Sequence, residues 1–545
     1  MMRQDCLCED HQNELKGVYM RTLRRNTGIT IAAFLLALLF LFANTGLLWA
    51  AETKNSAKQQ PAPKYGGTMR IYHTTSDAIS IGYPAKLLRN SNRFASPAVE
   101  TLFRSDKTGK PIPWLATGYK NDVKKNAIII TLRKDIKFHD GTDFNAEAVK
   151  WNLEECMAAK TGGTENFKSI DVVDNYTVQI NLSEWDSTVL SNLAMTVGLM
   201  VSPTACKKNG AEWAAKNPVG TGPFQFVSWE KAIRISYKKF PGYWIKGKPY
   251  LDKVEFVIID DTNTQEMSFK AGEAELIDSM FPVDLPDLEK RGYNIVRGRP
   301  GSGAYGMIPD SANPSSPFAN LKVRQAVQYA IDTNAIIKGV FQGENEAANQ
   351  YVSKTHWGYN KKVVGYPYNP AKAKKLLAEA GYPNGFKTTI YASNVAMVNK
   401  PWIAVQQFLK EVGIDAQMEL IPQPRLVEMA YGGKWQGLLP TSISPNPDVV
   451  VPLSQKYAGN GSYTQMLLPD DYIKAVQKTL TAPTMESKQK YVQEVMKLLV
   501  DKYCLMIFMF CPSEFAISQT YIHNHGFMDT PNTAIWTPEE AWMDK

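Results

Sequence analysis

Beyond residue 51 this chain of 545 residues has no long hydrophobic run. No stretch there approaches the ~18 consecutive apolar residues of a membrane-crossing helix, so the chain past Ala51 reads as soluble. Cysteine is scarce: six residues without a CxxC pair, which argues against a zinc site of that kind. Histidine is equally sparse, six residues with no HExxH, and no GxSxG elbow marks a serine nucleophile. No GxxxxGK[ST] loop is present to cradle phosphates. Gly301-Ser302-Gly303-Ala304-Tyr305-Gly306 lacks the strand-to-helix context of such a loop and reads as a connection. A net charge of +8 is mild over this length, and no compact Lys/Arg block with interleaved aromatics points to nucleic acid. These absences leave no catalytic constellation, no cofactor and no metal site to assign. His523 and His525 could share a strand face, but no third ligand accompanies them.

What is present begins at the N-terminus. Arg21, Arg24 and Arg25 precede an apolar run from Ile29 to Phe42, and Leu48-Trp49-Ala50-Ala51 offers small residues for cleavage. That order is a secretory signal, with Met20 a plausible start and an uncleaved membrane anchor as the alternative. No cysteine stands where a lipid anchor would need one. Cys156, Cys206, Cys504 and Cys511 follow; pairing of Cys156 with Cys206 and of Cys504 with Cys511 is open, as is their existence as buried thiols. At 44% hydrophobic and 21% charged residues the chain is globular, and its length calls for more than one core.

After a polar linker over 52–64, Met69 to Tyr72, Ile128 to Leu132 and Val254 to Ile258 read as strands. Asn320 caps a helix with Val323, Ala326, Val327, Ala330 and Ile331 on one face. Asn369-Pro370 starts another that Gly381 ends. Trp402, Val405, Leu409 and Val412 form a third stripe, and Val492, Val495, Met496 and Leu499 a fourth. Strands and helices mix without an internal repeat, which predicts an α/β fold of several lobes.

The most informative segment is Asn217 to Trp229, NPVGTGPFQFVSW. Two prolines fix φ beside Gly220 and Gly222, which predicts a tight turn on glycine backbone angles, then a strand. NPVGTGPF resembles a signature of the peptide/nickel-type solute-binding proteins, family 5 of the bacterial extracellular solute-binding proteins. Further stretches resemble the same family in the same order: LRKDIKFHDGTDFNAEAVKWNL (132–153), with Asn145 capping the helix after Asp140-Gly141; Tyr243-Trp244 with Pro249 to Asp252; Ala271-Gly272-Glu273-Ala274; LKVRQAVQYAID (321–332); and YNPAKAKKLLAEAG (368–381).

The resemblance implies a two-lobed periplasmic-binding-protein fold of the larger three-domain type, with mixed sheets. Residues 1–51 would be the signal region and 52–64 the linker. Residues 65–95, 215–309 and 506–545 would form lobe I, 96–214 an extra subdomain on it, and 310–505 lobe II. It implies a non-enzymatic, monomeric receptor that closes on a small to medium organic solute, then docks on the permease subunits of an ABC importer. Alternatives are an oligopeptide or dipeptide binder, a nickel or metal-chelate carrier, and a secreted hydrolase.

Peptide-binding relatives hold the ligand's amino group with an aspartate in a loop that here corresponds to Trp435 to Asp448, WQGLLPTSISPNPD. Ile443 stands where that aspartate belongs, with Ser442 and Ser444 beside it and Asn446 and Asp448 following. A buried ammonium without a counter-charge costs several kcal/mol, so this loop suits hydroxyl, carbonyl or amide groups better. A peptide ligand would need another carboxylate. Trp357, after His356, and Trp435 are candidates to cover an apolar ligand face. Tyr305 and Met307 match the crossing between lobes. His73, after the first strand, and Arg425, able to fork onto a carboxylate, complete the expected contacts, each with a plain structural reading as the alternative.

Overall fold

The computed structural model describes residues 62–545, apart from 75–79, 88–90, 280–284, 299–302, 395, 433, 442–445, 460, 533–534 and 537. The expected signal region and most of the linker lie outside the described residues. Among the described residues no helix is long and apolar enough to cross a membrane.

Three main sheets organise the chain. A seven-stranded mixed sheet runs in the order Phe224–Glu230, Arg234–Lys239, Lys253–Ile258, Thr68–His73, Leu276–Ser279, Glu514–Ser518, Asn294–Gly298. Thr68–His73 lies between two parallel neighbours and is covered on both faces: Met69 and Ile71 are fully buried on one, and Tyr72 packs into a separate core on the other. A four-stranded antiparallel sheet, Ala116–Asp122, Ala127–Leu132, Thr177–Leu182 and Phe167–Asp174, carries the helix Ala146–Ala158. Ile128, Ile130 and Leu132 bury one face of it while Thr131 points out. A six-stranded sheet runs Glu346–Ala347, Ile507–Cys511, Tyr305–Pro309, Leu438–Pro440, Phe386–Ser393, Ile414–Ile421.

Strands Tyr305–Pro309 and Ile507–Cys511 were expected in the first lobe and lie instead in the six-stranded sheet. Tyr305 pairs with Phe510 and Met307 with Ile507, and burial of the whole Ile507–Cys511 strand fixes it there. The chain therefore passes from the seven- to the six-stranded sheet between the strands Asn294–Gly298 and Tyr305–Pro309, and back again at Pro512-Ser513. At the edge of the expected subdomain, Ala98, Val99, Val201 and Ala214 pack into the core of the seven-stranded sheet.

The helices follow their sequence signals. Asn145, Asn320 and Asn369 each accept a backbone N–H at the start of their helix, at 3.0, 2.9 and 2.9 Å. Trp402, Val405 and Leu409 are buried on the helix Ala396–Glu411 and Val412 just past its end, and Val492, Val495, Met496 and Leu499 pack into the neighbouring core. Gly220 and Gly222 differ from expectation: neither has a positive φ. A Cβ on Gly220 would lie 2.1 Å from the Ala98 carbonyl oxygen, and one on Gly222 2.6 Å from that of Pro97. Close backbone approach, not a left-handed turn, requires glycine there. The four cysteines of the described residues are buried and none is in a disulfide, so neither expected pairing is formed.

Candidate functional site

In the seven-stranded sheet the strands ending at His73, Ile258, Ser279 and Gly298 run parallel, and all four ends lie on one edge with the start of Glu514–Ser518. In open α/β sheets this carboxyl edge is where ligands are held. Here it carries a charged cluster. Asp278 is nearly fully buried; its Oδ2 is paired with Arg93 and lies 3.7 Å from His73 Nε2. Asp278 Oδ1 has no hydrogen-bond partner among the described residues. Phe94 packs edge-on against His73, and the Arg93 guanidinium lies 5.9 Å from the Phe527 ring. His73 is thus at the strand-end position expected for it, with one fifth of its side chain exposed.

The matching edge of the six-stranded sheet carries an apolar pocket of about 340 Å³. Tyr305 starts its strand there, beside Ser393, Thr441 and the aromatic rings of Trp402, Tyr431 and Tyr463. Thr441 fastens the floor: its hydroxyl accepts the Gly306 N–H at 3.0 Å and donates to the Ala304 carbonyl at 3.1 Å. Tyr305 stacks on Phe510 at 5.5 Å, and burial pushes its hydroxyl pKa up, so it stays a neutral donor. Trp435 stands edge-on to Tyr463 at 6.1 Å, and its indole N–H has no partner among the described residues. Lys456 is the one charged residue lining the pocket, and no carboxylate lines it among the described residues.

A second group of expected residues gathers elsewhere, around Pro447. His356 Nδ1 accepts the Gly358 N–H at 3.0 Å, so Nε2 carries the proton and donates to the Pro447 carbonyl at 2.8 Å. Burial holds the pKa of this histidine down at about 4. The Trp357 indole N–H donates to the same carbonyl at 3.2 Å, and its backbone N–H donates to Thr108 across the seam with the four-stranded-sheet region. Asn446 Oδ1 accepts the Asp448 N–H at 2.9 Å. Asp448 is fully buried, ion-paired with Lys488, and accepts the Ser191 hydroxyl at 2.7 Å.

The structure thus separates residues that were expected together. Tyr305 lines the pocket and Trp435 backs it. His356, Trp357, Asn446 and Asp448 join the seam instead, their polar groups engaged by the protein itself. Met307 is fully buried in the six-stranded sheet's core, because its strand position faces inward. Arg425 is more than half exposed and pairs with Glu428 one helical turn on, at 2.6 Å. Ser442 and Ser444 lie outside the described residues. Sequence reasoning missed Arg93, Asp278 and Tyr463 and placed Trp402 only in a helix stripe; Asp278 had a nearby signal, a few residues after the Gly272-Glu273 segment.

The model of the bacterial extracellular solute-binding proteins, family 5 Middle, matches residues 110–464. A glutathione-binding protein, GsiB, of Pectobacterium atrosepticum is 37% identical over 339 residues, covering 60% of this chain and 64% of that protein. The chain is therefore aligned with less than two thirds of that relative's length. Among solved structures, the periplasmic binding protein DppA of Helicobacter pylori, in complex with the peptide STSA, aligns at a TM-score of 0.69 and 24% identity, covering 90% of this chain and all of that one. HbpA2 of Haemophilus parasuis aligns at a TM-score of 0.77 and 22% identity, covering 88% and 100%. These structures share the fold, and the family match, which takes in more than half of the sequence, places this chain in family 5 of the bacterial extracellular solute-binding proteins.

Proposed function

We propose that this protein is a periplasmic receptor of an ABC importer that captures a small peptide or peptide-like solute without altering it and delivers it to a membrane permease. One observation carries the reading: two sheets, joined by two crossings, both turn their ligand-holding edges toward those crossings. One edge brings the charged His73–Asp278–Arg93 cluster, the other the aromatic pocket at Tyr305. On this reading lobe I is built on the seven-stranded sheet, the extra subdomain on the four-stranded sheet, and lobe II on the six-stranded sheet from about 303 to 511. The solute's apolar part lies against Tyr305, Trp402 and Tyr463. Its amino group meets Asp278 Oδ1, the buried carboxylate oxygen left without a hydrogen-bond partner among the described residues, which supplies the anion missing at Ile443. The glutathione-binding relatives support a peptide-like solute of this size.

Calorimetric titration with glutathione and short peptides tests this. Free-amine peptides should bind, and Asp278→Asn should weaken them about ten- to a hundredfold, the range of a hydrogen bond to a charged group. N-acetylated peptides should bind the wild type poorly and be indifferent to the substitution. Equal binding of free and acetylated peptides would remove Asp278 from the site. Turnover of any bound peptide would end the receptor reading.

A further inference from the structure

Away from the two sheet edges, a hollow of about 700 Å³ opens at the seam between the four-stranded-sheet region and the six-stranded-sheet domain. One wall comes from the Thr108–Lys110 turn. The other comes from the loop holding Lys354, Lys361 and Lys362 and from the helix Met485–Lys497, which ends at Lys497. The two walls are stitched together at the floor: the Trp357 N–H donates to Thr108 O at 3.1 Å, and Gln489 Nε2 donates to Trp357 O at 2.7 Å. Lys110, Lys354, Lys361, Lys362 and Lys497 stand around the rim, and Glu494 is the one carboxylate among the lining residues. None of the five ammonium groups takes part in an ion pair among the described residues. Five like charges around one concavity repel one another, a cost that an anionic occupant relieves.

We propose that this hollow is a docking site for an acidic peptide segment of a protein partner, and that it is complete only while its two walls are in contact. The concavity does not fit a flat lipid surface, whereas an extended Asp/Glu-rich loop can thread between walls that both carry lysine. The charges are ammonium points rather than guanidinium forks, which suits several separate carboxylates spread along a chain. Because Lys110 belongs to one wall and the other four lysines to the opposite one, the occupant reads whether the extra subdomain touches the six-stranded-sheet domain. The assignment of the partner as an importer's permease rests on the receptor function proposed above; the docking chemistry does not.

The test is fluorescence anisotropy of labelled hexaglutamate titrated with the full-length protein. The wild type should bind it, with an affinity that falls as salt is raised toward a Debye length of a few Å. The triple variant K361E/K362E/K497E should weaken binding roughly tenfold or more, and K110E alone should weaken it measurably from the opposite wall. The control K168E/K208E/K253E, three exposed lysines outside the hollow, should leave it unchanged. Equal loss in both triple variants, no binding by the wild type, or capture of inorganic phosphate or phosphatidylglycerol vesicles in place of the peptide would each overturn the proposal. Glutathione titration of the same variants separates the two readings. Hexaglutamate binding without glutathione binding leaves the docking site standing and counts against the cleft assignment; the reverse sinks the docking site alone.

Discussion

At the scale of single residues, burial rather than sequence neighbourhood sets what each ionisable group does. His356 shows this most clearly. A histidine beside a tryptophan in a loop invites a ligand role, yet both its ring nitrogens are spent on backbone groups and burial holds its pKa at about 4. His139 and His525 are held at about 4 for the same first cause. The consequence has a definite sign. Above pH ~6.5 these histidines are neutral folded or unfolded, and stability is indifferent to them. Below that, the unfolded chain takes up protons the folded chain refuses, so stability is lost as pH falls from about 6.5 toward about 4. Glu100 works in the other sense: burial raises its carboxyl pKa, so the folded chain keeps a proton the unfolded chain releases. Substitution isolates the histidine share. Urea midpoints measured between pH 7 and pH 5 should fall for the wild type, and His356→Gln should flatten that fall by about 1.4 kcal/mol per pH unit in the acid half of the window. An unchanged slope would mean that His356 is protonated in the folded protein.

At the scale of elements, the helices were legible and the seams were not. Asn145, Asn320 and Asn369 announce their helices because a cap acts over three residues, within reach of the sequence. The strand Ala127–Leu132 is equally visible, as the apolar β-branched run from Ile128 to Leu132. The setting of Trp357 is not, since its partners are Thr108, Pro447 and Gln489, brought in from other parts of the chain. Gly220 was read as a turn residue because nothing local reveals that Ala98 presses against it. The seam between Val189–Asn192 and Met485–Lys497 belongs to this hidden class. Lys488 and Asp448 pair inside it with side chains 3% and 1% exposed, Lys488 Nζ also donates to Ser187 O at 2.8 Å, and Trp185 Nε1 donates to Ala482 O at 2.9 Å. Lys488→Met strands a buried carboxylate and should cost about 3–5 kcal/mol. Asp448→Asn added to it removes the uncompensated charge while keeping an acceptor for the Val450 N–H, and should restore most of the loss. Denaturant unfolding of the single and double variants checks this; a double variant no better than the single would show that the charge was not the cause.

At the scale of the whole molecule, the proposed receptor function makes the two crossings, one after Gly298 and one at Pro512-Ser513, the places where one domain would swing against the other, and a polar clasp lies beside them. Arg297, on the last strand before the first crossing, grips Glu344 with two parallel bonds of 2.7 and 2.8 Å, and Glu289 shares its guanidinium. Glu344 sits just before Glu346–Ala347 in the six-stranded sheet, so the clasp spans the crossing. Ser513, within the second crossing, donates its N–H to Asn345 at 2.9 Å. The clasp holds the arrangement in which the seam at Lys488 is closed, and its removal should favour a wider one. Arg297→Met, by withdrawing about 1 kcal/mol from this arrangement, should shift the population between the two roughly fivefold. The same amount should appear as weaker capture of a glutathione probe, because a solute held between the domains must restore the clasped geometry at its own expense. Small-angle scattering of the solute-free variant should then show a larger radius of gyration than the wild type, with saturating solute bringing the two together. Identical radii and identical affinities would place the hinge somewhere other than beside Arg297.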